Sequence, residues 1–582
     1  MNIIKETENQ IKEIVKLCGY EINEAKLENC KIANLGQFQV NFVFNIAKNY
    51  KISPIKVAEN IQKELIKSGL FKNVNIAGAG YINLTLKDES LIDFANNVHN
   101  NLSSLLKCEN KKDIFMDYGG ANVAKSLHVG HLRSANLGEA LKRFAKLYGY
   151  NVICDVHWGD IGRQSGMVIY EIKKRYPNLP FFDENYNSEY PTSIPVSSKD
   201  LGEIYPTATM IAKEDENVME EVRLITHQLE MGHKGYKALW KIIKEMSIIE
   251  LKSIYKRLNT QFDLWEGEED SMPFVKELMT TLHPKKLVYQ SEGALVIDVK
   301  KDDDKEEVPP LLVIKSNGAT TYATRDLATI ISREKRFKSD EWWYLADNRQ
   351  KLYFEQVFRA SYKANLIKEN ESFKFIGFGT MTGADGKPFK TRDGGVLNLN
   401  DLITMTKNKI LLRLNETIVD ENERDNISDS LAISAIKYAD LIPTRTNDYV
   451  FNLDKFTDFD GRTGPYLVYS VVRANSLLKK AGVSCDEFKK ITQINQFGAD
   501  LLAMLATYPR ELSKTIELLY PSIMAEYVYQ LVTSYNKFYA NCNVLNENNE
   551  SLKESYIGLT QIFIQFVTQI LNCMGIEIPD KM

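Results

Sequence analysis

The run from Asp113 to Asp160 constrains the fold more than any other part of the chain. DIFMD is a short apolar segment that ends in Tyr118-Gly119-Gly120. SLHVGHLRSANLGEALKRFAKLYG follows with apolar residues at helical spacing, and NVICDVHWGD then reads as a second strand. Strand, glycine turn, helix and strand predict a parallel βαβ unit, which needs helices to cover the faces of its sheet. Ligands of such sheets gather beyond the C-terminal ends of the strands. Asp117 closes the first strand, so the turn that follows it is where chemistry is expected.

That turn reads NVAKSLHVGH and holds two of the seven histidines of the chain, His128 and His131, around Gly130. A helix starting here aims unpaired N–H groups and its positive dipole end outward, towards an anion. Both histidines would face that end, and Gly130 would leave room for a flat base or ribose. Imidazoles beside a phosphate stabilise charge developing at phosphorus. Two plainer readings stand beside this one: a zinc-binding pair, which lacks further ligands nearby, and an ordinary helix start. No GxxxxGK[ST] occurs, which excludes a P-loop.

Length and composition set the frame. A chain of 582 residues has room for three or four domains. The net charge of −4 predicts no nucleic-acid binding by itself, yet a large enzyme can gather its basic groups on one face. The first residues read as a charged amphipathic helix rather than a signal peptide, and no apolar run reaches membrane-spanning length. Cysteines at 18, 30, 108, 154, 485, 542 and 573 form no CxxC pair. They point to a reducing, cytoplasmic compartment, without a disulfide scaffold or a thiolate zinc site.

Four regions are expected: 1–105, mixing helices with strands; 106–395, an α/β unit with a mostly helical insertion at about 170–285; a connecting helical region, 396–460; and helices over 461–582. VNIAGAGYINLTL reads as one strand bent at Gly78 and Gly80. GALVIDV, LLVIK, WWYLADNR and FKFIGFG read as strands returning to the same sheet, with Asn317-Gly318 as a hairpin turn. The charge run 300–307 reads as a solvated loop. The tyrosine-rich stretch from Tyr520 to Val544 reads as core more readily than as a base-stacking platform.

HVGH at a first βα turn resembles the signature of class I aminoacyl-tRNA synthetases, and DYGGANVAKSLHVGHLRS is similar to the arginyl-tRNA synthetase version. VHWGDIGRQSG, YATRDLA, LADNRQKLYFEQ, GADGKPFKTRDGG and GRTGPYLVYSVVRA resemble further blocks of that family, in its order. Gly119, Gly120 and Ala121 depart from the family's Ser/Pro turn, and Tyr353 stands where histidine is frequent. The resemblance implies a Rossmann-like catalytic domain with a helical insertion. It also implies an α+β N-terminal domain recognising the tRNA D-loop and an all-α C-terminal domain binding the anticodon. The implied activity is ATP-dependent activation of L-arginine to arginyl-adenylate and its transfer to the 3′ terminal adenosine of tRNA-Arg. ATP with Mg2+ would be used, with no structural zinc and no membrane, by a monomer.

Site residues follow from the same resemblance. His128, Gly130, His131 and Lys125 would meet ATP. Lys387 and Lys390, in the glycine-flanked loop that contains PFKTR, would hold pyrophosphate. Thr391 stands where the second lysine of a KMSKS loop would be, and Lys125 would supply the missing charge. Tyr322, Asp326 and Gln350 would contact the arginine side chain, where carboxylates pair best with a guanidinium. Asp117 would lie beside them, and Asn122 would touch the α-amino or carboxyl end. Tyr81 and Asn83 would meet the tRNA. The residues themselves also allow Lys125 as a solvent-facing lysine, Asp326 as a helix cap and Tyr81 as sheet packing.

Overall fold

The computed structural model describes residues 2–582 apart from 31, 33–34, 384–385, 387–396, 415–419 and 485–486. The βαβ unit consists of β1 (Asp113–Asp117), α1 (Val129–Tyr148) and β2 (Asn151–Asp155). Further on come α2 (Tyr322–Phe337), β3 (Glu341–Asp347), α3 (Lys351–Ala364) and β4 (Ser372–Phe378). The four strands are all parallel, in the order β4-β3-β1-β2. The chain moves from β1 outward to β2, then returns to the other side of β1. That reversal opens a crevice between the C-terminal ends of β1 and β3.

Register decides which core each strand residue joins. Trp342 pairs with Phe115 and Trp343 with Met116. Phe115 and Trp342 enter one core with Leu327 and Phe358, whereas Met116 and Trp343 enter another with Leu141 and Ile376. Burial on both faces is why these strands read as near-continuous apolar runs.

α1 is buried for most of its length, and its polar residues Arg133, Asn136 and Glu139 are buried with it. Buried charges need partners. Arg133 pairs with Asp440 at 2.9 Å, and Asn136 donates to the same carboxylate at 2.9 Å. Asp440 belongs to α4 (Glu421–Leu441), so this polar stripe ties the parallel sheet to the helices that follow. Glu139 takes Lys142 at 2.8 Å and Arg143 at 2.6 Å.

Several elements differ from the sequence expectation. Gly78 and Gly80 do not bend one strand; at φ +57° and +128° they close a hairpin between Phe71–Ala77 and Tyr81–Leu86. Ala294–Ile297 and Leu311–Ile314 do not join the parallel sheet. With Val288–Ser291 they form a separate antiparallel sheet, because Glu292 and Gly293, both at positive φ, fold the chain straight back. The Asn317-Gly318 turn is a tight hairpin as expected, with Ile314 paired antiparallel to Thr320, and the chain then enters α2 through Thr321, whose side chain caps it. Within the 300–307 run, Asp304 is more than a solvated acid: it accepts from both terminal nitrogens of Arg359 at 2.7 Å.

The remaining parts frame the site. Residues 1–105 hold a four-stranded antiparallel sheet with helices Ile3–Leu17, Val43–Tyr50 and Pro54–Lys67. The helical insertion begins at Arg163–Arg175 and runs to Met272–Leu282. The chain closes with five helices from Gly464–Lys480 to Glu550–Cys573.

Candidate active site

Residues 118–128 cross the end of the sheet between β1 and α1. Gly119 and Gly120, at φ +108° and +60°, make the turn that a Ser/Pro pair was expected to make. A Cβ on Gly119 would meet Phe262 and Val156 at 3.0 Å, and its amide donates to Ser134 Oγ at 2.8 Å. The loop ends at His128, the N-cap of α1. Its Nδ1 accepts from the Gly130 amide at 3.0 Å, and His131 Nδ1 accepts from the His128 amide at 3.1 Å. This is a reciprocal cap made by two imidazoles.

The cap fixes the tautomers. With both Nδ1 atoms accepting, each neutral ring carries its proton on Nε2, which stays free to donate. Burial holds both rings neutral, taking His131 down to about 3 and lowering His128, with Lys125 nearby adding to the effect. The ring centroids lie 4.0 Å apart. The reason for Gly130 differs from the one expected. A Cβ there would lie 2.8 Å from His128 Cε1, so the glycine makes room first for the ring of His128 itself.

A cavity of about 420 Å³ fills the crevice between β1 and β3. His128, Gly130, His131 and Asn122 line it from the loop and α1, Asp117 from β1, Asp326 from α2, and Gln350 from the turn into α3. Burial raises the Asp326 carboxyl above its ordinary range, and the hydroxyl of Tyr353 donates to it. The residue that departs from the family pattern therefore orients a cavity carboxylate. Asp117 is partly occupied already. Arg333, fully buried on α2, donates to it at 2.7 Å and to Asp155 at 2.7 Å.

Other expected residues lie elsewhere. Tyr322, the first residue of α2, is exposed and outside the cavity lining, with the Arg325 guanidinium over its ring at 4.8 Å. Lys125 is also outside the lining, and its ammonium sits 4.4 Å from the ring centre of Tyr205 in the helical insertion. Lys387, Lys390 and Thr391 lie outside the described residues. Tyr81 is exposed, with its ring edge-on to Phe44. Asn83 needs correction: it is fully buried, and its amide oxygen accepts from Gln39 at 3.0 Å. Its strand is central in the sheet and buried along nearly its whole length, so Asn83 is not presented to a partner. Of the C-terminal tyrosines, Tyr527 and Tyr535 are core, and Tyr535 stacks on Phe563 at 3.7 Å.

Sequence reasoning missed three groups here. Arg333 lies two turns after Asp326 on α2, a spacing that was visible, but its partners were not. Glu268, half-buried, pairs with Arg325 at 2.6 Å. His157 lines the cavity with its ring buried. Among the described residues, no group of three or more His, Cys, Asp or Glu is arranged to hold a metal ion, and no helix is long and apolar enough to cross a membrane.

A parallel sheet, a ligand crevice where its strand order reverses, and a histidine pair capping the first helix define a class I aminoacyl-tRNA synthetase fold. Three family models match: "tRNA synthetases class I (R), catalytic domain" over 95–453, "DALR anticodon binding domain" over 467–582, and "Arginyl tRNA synthetase N terminal domain" over 2–86. The chain belongs to the arginyl-tRNA synthetases, a family of aminoacyl-tRNA ligase enzymes. The arginine–tRNA ligase of Alkaliphilus oremlandii is 39% identical over 586 residues, covering 100% of both chains. That of Francisella tularensis is 40% identical over 597 residues, again covering 100% of both. The solved arginyl-tRNA synthetase of Plasmodium falciparum superposes with a TM-score of 0.80 at 24% identity, over 100% of this chain and 99% of that one.

Proposed function

We propose that this enzyme activates L-arginine with ATP and transfers the arginyl group to the 3′ terminal adenosine of tRNA-Arg, acting through the residues of the cavity. One observation carries the reading. The two neutral Nε2–H donors at the start of α1 and the buried Asp326 carboxylate open into the same crevice. One wall suits phosphate and the other a cation.

In the first step an oxygen of the arginine carboxylate attacks the α-phosphorus in line, and pyrophosphate leaves together with the magnesium that enters as part of the ATP substrate. His128, His131 and the α1 dipole stabilise charge growing on the phosphate oxygens. Lys125, Lys387 and Lys390 hold the departing pyrophosphate. Asp326 and Gln350 grip the guanidinium, joined by Tyr322 once it turns inward, while Asn122 and the free oxygen of Asp117 orient the rest of the amino acid. In the second step the 2′-hydroxyl of the terminal adenosine attacks the adenylate carbonyl and AMP leaves. No strong general base is required, so positioning carries much of the rate.

The C-terminal helices and Tyr81 hold the tRNA, the enzyme works as a cytoplasmic monomer, and activation awaits bound tRNA. Exchange of ATP with pyrophosphate, run with and without tRNA, tests that last point. The test of the whole reading is charging of unfractionated tRNA with each labelled amino acid, beside Asp326→Asn. Arginine alone should be charged, and the variant should lose about 100-fold in kcat/KM for arginine, or about 3 kcal/mol, with the KM for ATP unchanged. Charging with another amino acid, or an indifferent variant, overturns it.

A further inference from the structure

His157 is a cavity residue that this mechanism does not use. It follows β2 at φ +36°, an unusual backbone state for a bulky residue. Its side chain is 13% exposed, and neither ring nitrogen has a hydrogen-bond partner. The nearest charge is Asp155, 3.7 Å from Nδ1. An imidazole held in a strained loop, buried and without a hydrogen bond, is poorly explained by packing alone.

Charge supplies the missing reason. His157 feels the charges of Asp155 from β2, Asp117 from β1, Asp326 and Arg333 from α2 and Glu268 from the insertion, and of these Asp117, Asp326 and Arg333 line the same cavity. Glu268 is paired with Arg325, and Arg333 bridges Asp117 and Asp155. Asp117 and Asp326 line the cavity while Asp155 and Glu268 lie outside its lining, so four carboxylates share two guanidinium groups and the set carries a negative excess when all are ionised. An empty pocket of this kind favours any cation it can recruit.

We propose that His157 is the resident counter-charge of the empty arginine pocket, holding a proton there until the substrate guanidinium replaces it beside the carboxylates. The proton leaves His157 for solvent, the guanidinium stays protonated, and no other bond changes. His157 is thus a specificity-determining residue: a cation is exchanged for a cation, and an uncharged isostere such as citrulline cannot drive the exchange. The inference rests on the proposed amino-acid pocket. The electrostatics agree with it: against burial, the largest effect, and Arg333, the adjacent Asp155 carboxylate and then Asp117 raise its proton affinity.

The sign of the pH dependence follows. Below the raised pKa the proton competes with arginine, so the KM for arginine rises as pH falls through that pKa. Asp326, also raised by burial, would release a proton as well; the charge of His157 opposes that rise, so Asp326 should titrate higher in a variant that lacks it.

The test is calorimetry of arginine binding to the full-length enzyme, in buffers of different ionisation enthalpy, beside His157→Asn. Asparagine tolerates the left-handed backbone state at 157. Wild type should release close to one proton per arginine below that pKa and progressively less above it. His157→Asn should release none there, and its arginine affinity should be flat with pH. Citrulline should bind without release. A second measurement needs no variant. With 13C-labelled histidine, one of the seven histidine resonances should titrate in the free enzyme and stay at its neutral position once arginine is bound. Arginine that binds without proton release, or with release unchanged in the variant, overturns the role of His157 and leaves the pocket standing. Arginine that does not bind overturns both.

Discussion

Replacing Gly130 by alanine separates the chemistry of the site from its stability. Gly130 is the second residue of α1 and is not among the glycines at positive φ, so its backbone accepts a side chain. The new Cβ would lie 2.8 Å from Cε1 and 2.9 Å from Nδ1 of His128. A contact that short cannot persist, and the imidazole, being a side chain, is what moves. Swinging it away breaks the cap from the Gly130 amide, at a cost of about 0.5–2 kcal/mol. Alanine in place of a helical glycine returns about 0.5–1 kcal/mol. The two offset to within about 1.5 kcal/mol, and the melting temperature should move by no more than a few degrees. Activity should respond differently. A preorganised donor taken out of line with a developing charge typically costs about 10²–10³ in kcat, or roughly 2.7–4 kcal/mol. Pyrophosphate exchange with tRNA present should therefore fall about 100-fold in kcat. The KM for arginine should hold, because Asp326 is untouched. Activity within about threefold of wild type, equivalent to about 0.7 kcal/mol, would show that His128 does not act from the position in which the helix start holds it.

Two further outcomes probe the surroundings of the site. Arg333→Met strands the carboxylates of Asp117 and Asp155 and should cost about 3–5 kcal/mol, read as a lower urea midpoint. Adding Asp155→Asn should recover part of that loss, and a cost under about 1 kcal/mol would mean that water reaches the pair. Lys125→Ala should lower kcat for pyrophosphate exchange, whereas Tyr205→Leu, which removes only the ring beneath the ammonium, should leave it near wild type. If the two variants behave alike, Lys125 serves to dock the insertion, a contact of about 0.5–1 kcal/mol, and not to hold pyrophosphate.

The parts of this structure that could be read from sequence are those where a local pattern has one physical meaning. β1 and β2 are apolar because both faces are covered, and a glycine turn followed by helical spacing permits little besides a parallel crossover. His128, Gly130 and His131 were legible because a helix start obliges its first residues to face outward together. The strands at 294–297 and 311–314 were not legible as a separate sheet. A short apolar run looks the same whether its neighbour is parallel or antiparallel, and here the two-residue turn at Glu292-Gly293 decided. Asn83 misled for a related reason. An asparagine in a strand suggests a polar face, but a central strand can hide one against Gln39. Tyr353 could be seen as a departure from the pattern, though only its contact with Asp326 shows what it holds.

Arg333 shows most directly why a list of cavity carboxylates does not define a binding site. Asp117, Asp155 and Asp326 are equivalent in sequence terms, three acids near strand ends or a helix start. The structure divides them. Arg333 takes one oxygen of Asp117 and one of Asp155, and against burial His157, Arg333 and the Glu266 amide hold Asp155 well below the usual carboxylate range. Asp326 has only a neutral hydroxyl from Tyr353 as hydrogen-bond partner, and burial outweighs the charges of His157 and Arg325, so its carboxyl is pushed the other way. An incoming cation gains most beside the carboxylate with least compensation, since burial without a counter-charge is what raises its free energy. The pocket thus carries its own arginine to fix two acids in place, and by doing so it leaves Asp326 as the one with the most to gain from a second guanidinium.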